Sequence, residues 1–199
     1  MLNVERRKRS TREPALPCCR VVLLFVLVAS LSLSGLLKAQ ERRETADECR
    51  RKAVYICNLL LYTSWPQQAF ETEDSKFVIG IFGKTTPEFE RGLAFCAQKK
   101  KRGRKVRVRY LTDPADASQC HLVFVGNTLA QDVLKNVVEK TSADSTLLVG
   151  EASDFIEKGG MINLSLNGKR LEVSIDRKNS KERGLRFDAR LLVLANIVD

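Results

Sequence analysis

The chain has 199 residues, with 34 Lys and Arg against 24 Asp and Glu, six Cys and a single His. A hydrophobic share of 44% with only 11 Gly and 5 Pro excludes collagenous, low-complexity and wholly disordered chains. One His excludes any site that needs two imidazoles, so classical zinc fingers and two-His metalloprotease motifs are absent, and a Ser-His-Asp triad would have to rest on His121 alone.

The chain opens with a basic head, MLNVERRKRSTREPALPCCR, and Val21 to Leu37 then run for 17 residues without a charge before Lys38-Ala39-Gln40. A basic head, an apolar run and a small residue at position 39 form the pattern of an export signal. An uncleaved anchor is the alternative, because 17 residues at about 1.5 Å each sit at the lower bound for spanning a bilayer. Residues 1–39 are therefore read as a signal peptide or signal anchor, and residues 45–199 as one folded domain. Everything after Gln40 is expected across a membrane, where disulfides are permitted.

From Gln40 onward there are 27 basic and 22 acidic residues, so half of the formal +10 belongs to the leader. The remaining excess is local, since Lys99 to Arg109 hold eight positive residues and no acid.

Thr45 followed by Glu48 has the spacing of a capping box, and Ala53, Cys57, Leu60 and Leu61 recur at helical spacing, predicting a helix that ends near Tyr62. Ser64-Trp65-Pro66 stops it. Phe77 to Phe82 is a short apolar run closed by Gly83, predicting a strand covered on both faces. Thr86 caps and Pro87 opens a second helix, with Phe89, Leu93, Cys96 and Ala97 facing inward. Lys105 to Leu111 alternates as an outer strand, with Val106, Val108 and Tyr110 on one side. Leu122 to Val125 and Thr146 to Val149 read as buried strands on either side of a helix marked by Ala130, Val133, Leu134, Val137 and Val138. Ile162, Leu164 and Leu166 alternate up to Asn167-Gly168, and Leu171, Val173 and Ile175 alternate away from it, which predicts a hairpin. Asp188 is placed to cap a C-terminal helix carrying Leu191, Leu194, Ala195 and Val198 on one stripe. The sum is an α/β fold, a three-layer αβα sandwich with a mixed, mainly parallel sheet and a C-terminal β-hairpin plus helix.

Gly80-Ile81-Phe82-Gly83-Lys84-Thr85 resembles the end of a phosphate-binding loop in the right place, after a buried strand and before a helix. The loop is incomplete, because Val78 stands where the first Gly belongs. Two readings remain for Gly83, Lys84, Thr85 and Thr86: a backbone site for an anion or small ligand at a helix start, or a tight turn. The four Cys beyond the leader permit three fully paired connectivities. Cys49 and Cys57 are about 12 Å apart along one helix and cannot pair. Cys96 late on the second helix and Cys120 at the start of a strand form the preferred bridge, worth on the order of 3 kcal/mol. The alternative is four small buried hydrophobes.

The run Lys99 to Arg104 is either a solvated loop or a surface for acidic partners or lipid headgroups, and with Tyr110 as its only aromatic neighbour it lacks the stacking platforms of a single-strand binder. No nucleic-acid partner is expected. His121, at the head of an apolar strand with no nucleophile motif beside it, reads as packed rather than catalytic. Trp65 and Pro66 are either an exposed anchor for a partner or a helix stop packed on the core.

Four segments in order resemble the YfiR family of exported bacterial proteins: Lys52 to Leu59 running on to Ser64-Trp65-Pro66; Phe77 to Gly83 (FVIGIFG); Cys120 to Gly126 (CHLVFVG); and Gly159 to Ile162 with its hairpin through Gly184-Leu185, ending in Ala189 to Ala195 (ARLLVLA). The resemblance implies a non-catalytic periplasmic regulator that binds the outer sensor domain of an inner-membrane diguanylate cyclase or sensor kinase and restrains it, with redox or envelope stress relieving the restraint so that cyclic di-GMP rises. It implies no cofactor and no metal, and leaves a homodimer open. In related members a Cys in the first strand pairs with the one opening the CHLVFVG strand; here Gly80 occupies the first position and Cys120 remains. The second class of function is a periplasmic small-molecule-binding module, with its ligand at the strand ends near Gly83 to Thr86 and Gly126 to Thr128.

Overall fold

The computed structural model describes residues 45–126, 131–167 and 170–198. The apolar run at 21–37 and most of the proposed Gly126 to Thr128 strand end lie outside these residues. Among the described residues no helix is long and apolar enough to cross a membrane.

Residues 45–62 form helix α1. Strand β1 (Thr63–Ser64), a 3-10 turn (Gln67–Ala69), β2 (Phe77–Phe82), α2 (Pro87–Ala97), β3 (Val106–Tyr110), a second 3-10 turn (Pro114–Gln119), β4 (Leu122–Val125), α3 (Gln131–Lys140) and β5 (Leu147–Gly150) follow. The chain continues through β6 (Ile162–Asn167), β7 (Arg170–Asp176), α4 (Arg177–Glu182), β8 (Arg186–Phe187), α5 (Ala189–Leu192) and β9 (Asn196–Val198). Seven strands make one sheet in the order β3-β2-β4-β5-β6-β7-β9. It is parallel except between β6 and β7, which form the expected hairpin with Asn167 opposite Arg170.

The period-2 pattern sorts the two core faces. Phe77, Ile79 and Ile81 of β2, Leu122 and Phe124 of β4, and Leu147 and Val149 of β5 pack with α1, α2 and α5. Phe82, Val123, Val125 and Leu148 point the other way, against α3, the second 3-10 turn and Phe155. This is the expected three-layer mixed sandwich. The edge strand β3 also lies where its alternation puts it, although Tyr110 is exposed instead of joining Val106 and Val108 against the core.

The C-terminus departs from expectation. Asp188 does cap, accepting from the Arg190 N–H at 2.9 Å, but α5 stops at Leu192. Asn196 to Val198 extend beside Ser174 to Asp176 as a parallel edge strand. Ile197 and Val198 are β-branched and find open hydrogen-bonding partners on β7, which outweighs continuing a helix whose Leu194 would gain no burial. Leu194 and Val198 are accordingly exposed, not part of an inner stripe. The short helix α4 and the separate two-stranded β1-β8 sheet, with Thr63 opposite Phe187, were not foreseen.

Candidate functional site

The helix stop at Ser64-Trp65-Pro66 sends the chain under the amino ends of the parallel strands, where three rings gather around His121. Phe70 stacks on its imidazole with centroids 4.7 Å apart, while Phe77 and Trp65 meet it edge-on at 5.4 and 6.4 Å. The Trp65 indole N–H donates to the His121 carbonyl at 3.2 Å and its ring packs on Phe77. Trp65 is thus engaged within the molecule, and Pro66 lies against the Gly184 turn. His121 Nδ1 accepts from the Val78 N–H at 3.1 Å, which leaves Nε2 to carry the proton and donate to the Ala69 carbonyl at 3.0 Å. Burial, and after it the Arg104 charge, hold this imidazole below its ordinary value, against the Ala69 bond. Both ring nitrogens are committed, as befits a packed histidine.

The basic run folds inward, which neither reading of it anticipated. Lys101 and Arg104 exchange backbone hydrogen bonds of 2.9 Å across a two-residue turn whose central residues, Arg102 and Gly103, have φ of 47° and 82°. From this hairpin Arg102 donates to the Thr63 carbonyl at 2.9 Å and the Ser64 hydroxyl at 3.0 Å. Arg104 donates to the carbonyls of Thr72, Glu73 and Ser75 at 3.0, 2.6 and 2.9 Å and covers the Phe70 ring at 3.9 Å. Lys101 is 5% exposed and its Nζ donates to Asn58 Oδ1 at 2.8 Å and Cys96 Sγ at 3.1 Å. Three of the cations are thus structural clamps holding α1, β1 and the 72–75 loop. Nothing in the run KKKRGRK marks Lys101 as buried; only the turn-forming Gly103 hints that its neighbours are held in a fixed geometry.

The expected Cys96 to Cys120 bridge is not formed. All four described cysteines are free thiols, and Cys96 and Cys120 belong to core clusters on opposite faces of the sheet. The sheet itself stands between them. Burial pushes the Cys120 thiol up to about 11, with Arg109 opposing and Asp116 adding to the rise.

At Gly83 to Thr86, Thr86 Oγ1 accepts from the Phe89 N–H at 3.2 Å and Thr85 Oγ1 donates to Glu90 Oε1 at 2.7 Å. Glu88 and Glu90 already supply negative charge to the first turn of α2, which favours the tight-turn reading over an anion site. A groove of about 820 Å³ lies at the other, amino ends of the strands, and Lys76, Arg107, Arg109, Glu71, Asp144 and His121 are among the residues that line it. No group of three or more His, Cys, Asp and Glu suited to a metal ion occurs among the described residues.

At the C-terminal end, consecutive residues Val193 and Leu194 are 82% and 79% exposed, followed by Val198 on the sheet edge. This segment is tied to the end of α1 and to β1, because the Asp188 N–H donates to the Tyr62 carbonyl at 2.8 Å and Phe187 pairs with Thr63.

None of the curated proteins matches this sequence. Among solved structures, a conserved domain protein from Vibrio cholerae O1 biovar El Tor is similar at 15% identity and a TM-score of 0.46, over 61% of this chain and 54% of that one. An ABC domain in complex with L-Trp from Streptococcus pneumonia is similar at 14% identity and a TM-score of 0.49, over 73% of this chain and 60% of that one. The chain thus spans little more than half of the solved chains it matches. The profile described as YfiR/HmsC-like matches residues 50–196, from α1 to β9, and this protein belongs to that family, whose members are in general periplasmic regulators.

Proposed function

We propose that this protein is exported, works on the far side of the inner membrane, and regulates by contact, without catalysis, by docking on the outer domain of a membrane-bound signalling protein of the cyclase or sensor-kinase type. The observation that carries the reading is the apolar pair Val193 and Leu194, which sits almost fully in solvent within the segment that ends the family match. Burying two such side chains is worth roughly 3 to 6 kcal/mol, so this surface gains from a cover. The β1-β8 pair and the Asp188 to Tyr62 bond connect that surface to the rest of the domain. Regulation is then a population shift: docking favours one state of the partner, and whatever weakens docking releases it.

The test is co-purification of the tagged full chain from envelope membranes, in parallel with Leu194→Glu. The reading expects an inner-membrane protein with an outer domain to be recovered, and recovery to fall at least about tenfold in the variant while its thermal midpoint stays that of the parent. Equal recovery by both, or a product confined to the cytosol, would overturn it.

A further inference from the structure

Strand β3 is one edge of the sheet, and the register of its ladder with β2 fixes which of its backbone groups are engaged. The Phe77 N–H donates to the Lys105 carbonyl and the Leu111 N–H to the Ile81 carbonyl, both at 2.9 Å. Successive residues of a strand turn their N–H and C=O groups to opposite sides, so Arg107 and Arg109 bond toward β2, while the backbone groups of Val106, Val108 and Tyr110 point away from it. Among the described residues no strand takes up this outer row.

The side chains of β3 alternate across the sheet with the same period. Val106 and Val108 pack on the α1 and α2 side, and Tyr110 follows them on that face, 55% exposed. Lys105, Arg107 and Arg109 take the opposite face, where Arg107 lies beside Val78 and lines the groove at the amino ends of the strands. They form a row of cations about 7 Å apart. Arg109 is answered by Asp116 at 3.5 Å and Gln119 at 2.9 Å. Asp144, also on the groove, has the Arg183 charge near it. Among the described residues no carboxylate pairs with Lys105, with Arg107, or with Lys76, which lines the groove with Arg107.

Cations on an edge strand keep like edges apart. A second copy adding antiparallel through the same outer row would set basic residues of β3 opposite basic residues of β3, which is destabilising. The same row attracts a strand of the opposite charge. We propose that the outer edge of β3 takes up an extended segment of a partner protein as an added antiparallel strand. Asp or Glu at every second residue of that segment would face Lys105, Arg107 and Arg109, and apolar residues between them would lie over Val106, Val108 and Tyr110. The backbone bonds supply affinity, and the alternating charges select the partner and the register. Strands β3 and β9 stand at opposite ends of the sheet order, so this surface is separate from Val193 and Leu194, and the inference stands whether or not that pair docks.

The experiment titrates a fluorescent peptide of about eight residues, with Glu alternating with Val, into the purified full chain at low salt. Anisotropy follows binding, and residue-resolved hydrogen exchange follows the β3 amides. Saturable binding that weakens as salt rises is expected, with exchange at Val106, Val108 and Tyr110 slowed at least about tenfold. The same peptide N-methylated at its Val residues keeps its charge, loses its bonds to β3, and is expected to bind at least about tenfold more weakly. Arg107→Glu is expected to lose the acidic peptide by a similar factor, to keep the parent's thermal midpoint, and to gain affinity for a peptide of alternating Lys and Val. Equal binding of the methylated and unmethylated peptides, no saturation at low salt, or β3 amides left unprotected by bound peptide would overturn the proposal. Slow exchange of these amides in the peptide-free chain would overturn it too, because the edge would then be covered by another copy or by the chain itself.

Discussion

Gly80 and Cys120 face each other so closely on the α3 side of the sheet that a Cβ placed on Gly80 would stand 2.9 Å from the Cys120 Sγ. This is about the separation a bonded Cys pair would need between the Cβ of one member and the Sγ of the other. Leu111 fills the rest of the space, its Cδ1 lying 2.5 Å from the same Cβ.

Gly80→Cys is therefore expected to form a bridge with Cys120 in an oxidising buffer, closing a loop of about 40 residues and raising stability by roughly 2 to 4 kcal/mol once Leu111 has shifted. Gly80→Val, with bulk and no bond, is expected to lose about 1 to 3 kcal/mol by overpacking. Urea titration with and without reductant checks both, and a reduction-insensitive midpoint for Gly80→Cys would contradict the geometry.

The inward-folded basic loop makes a contrast within one run of cations. Arg104→Ala removes three carbonyl hydrogen bonds and the cover over Phe70, for an expected loss of about 2 to 4 kcal/mol. Lys99 and Lys100 are exposed, so the double change to Ala is expected to stay within about 0.5 kcal/mol. Thermal or urea unfolding of the two variants side by side measures the difference; equal effects would mean that the run is only a solvated surface.

His121 makes the fold sensitive to mild acid. Burial holds the imidazole below its ordinary 6.5 in the folded state, so the unfolded chain binds the extra proton first. Its contribution is fully present above about pH 6.5 and is lost as the pH falls through that value toward the folded pKa, with a slope of at most about 1.4 kcal/mol per pH unit. Urea midpoints between pH 7.5 and 5.5 should fall for the parent and stay flatter for His121→Asn, which starts from a lower stability because two ring hydrogen bonds are gone. Parallel slopes for the two proteins would contradict the neutral, buried imidazole.

The strands and the two long helices of the sandwich could be read from periodicity because each buries a full stripe or face: Phe77 to Phe82, Leu122 to Val125, and the α2 stripe through Phe89, Leu93 and Cys96. Helix α4 could not, since Arg177 to Glu182 carries no apolar period and its signal is a single cap, Asp176 accepting from the Asn179 N–H. The C-terminal error came from the same source: Leu191, Leu194 and Val198 fit a helical stripe, yet an edge of β7 was open to receive Ile197 and Val198, a long-range fact that local spacing does not encode. At the site, Trp65 and His121 were recognisable as structural candidates. The placement of Cys96 against Asn58 and the burial of Lys101 were not, because both depend on how α1 and α2 meet at Gly92.

The claim that this protein acts by touch across the membrane is tested most directly by placing a photoreactive amino acid at position 194 of the full chain in living cells. The account predicts a covalent adduct with the outer domain of one inner-membrane signalling protein, found in the envelope fraction and absent when the probe is moved to exposed Lys135 on α3. Adducts from both positions alike, from neither, or only with cytosolic proteins would contradict it.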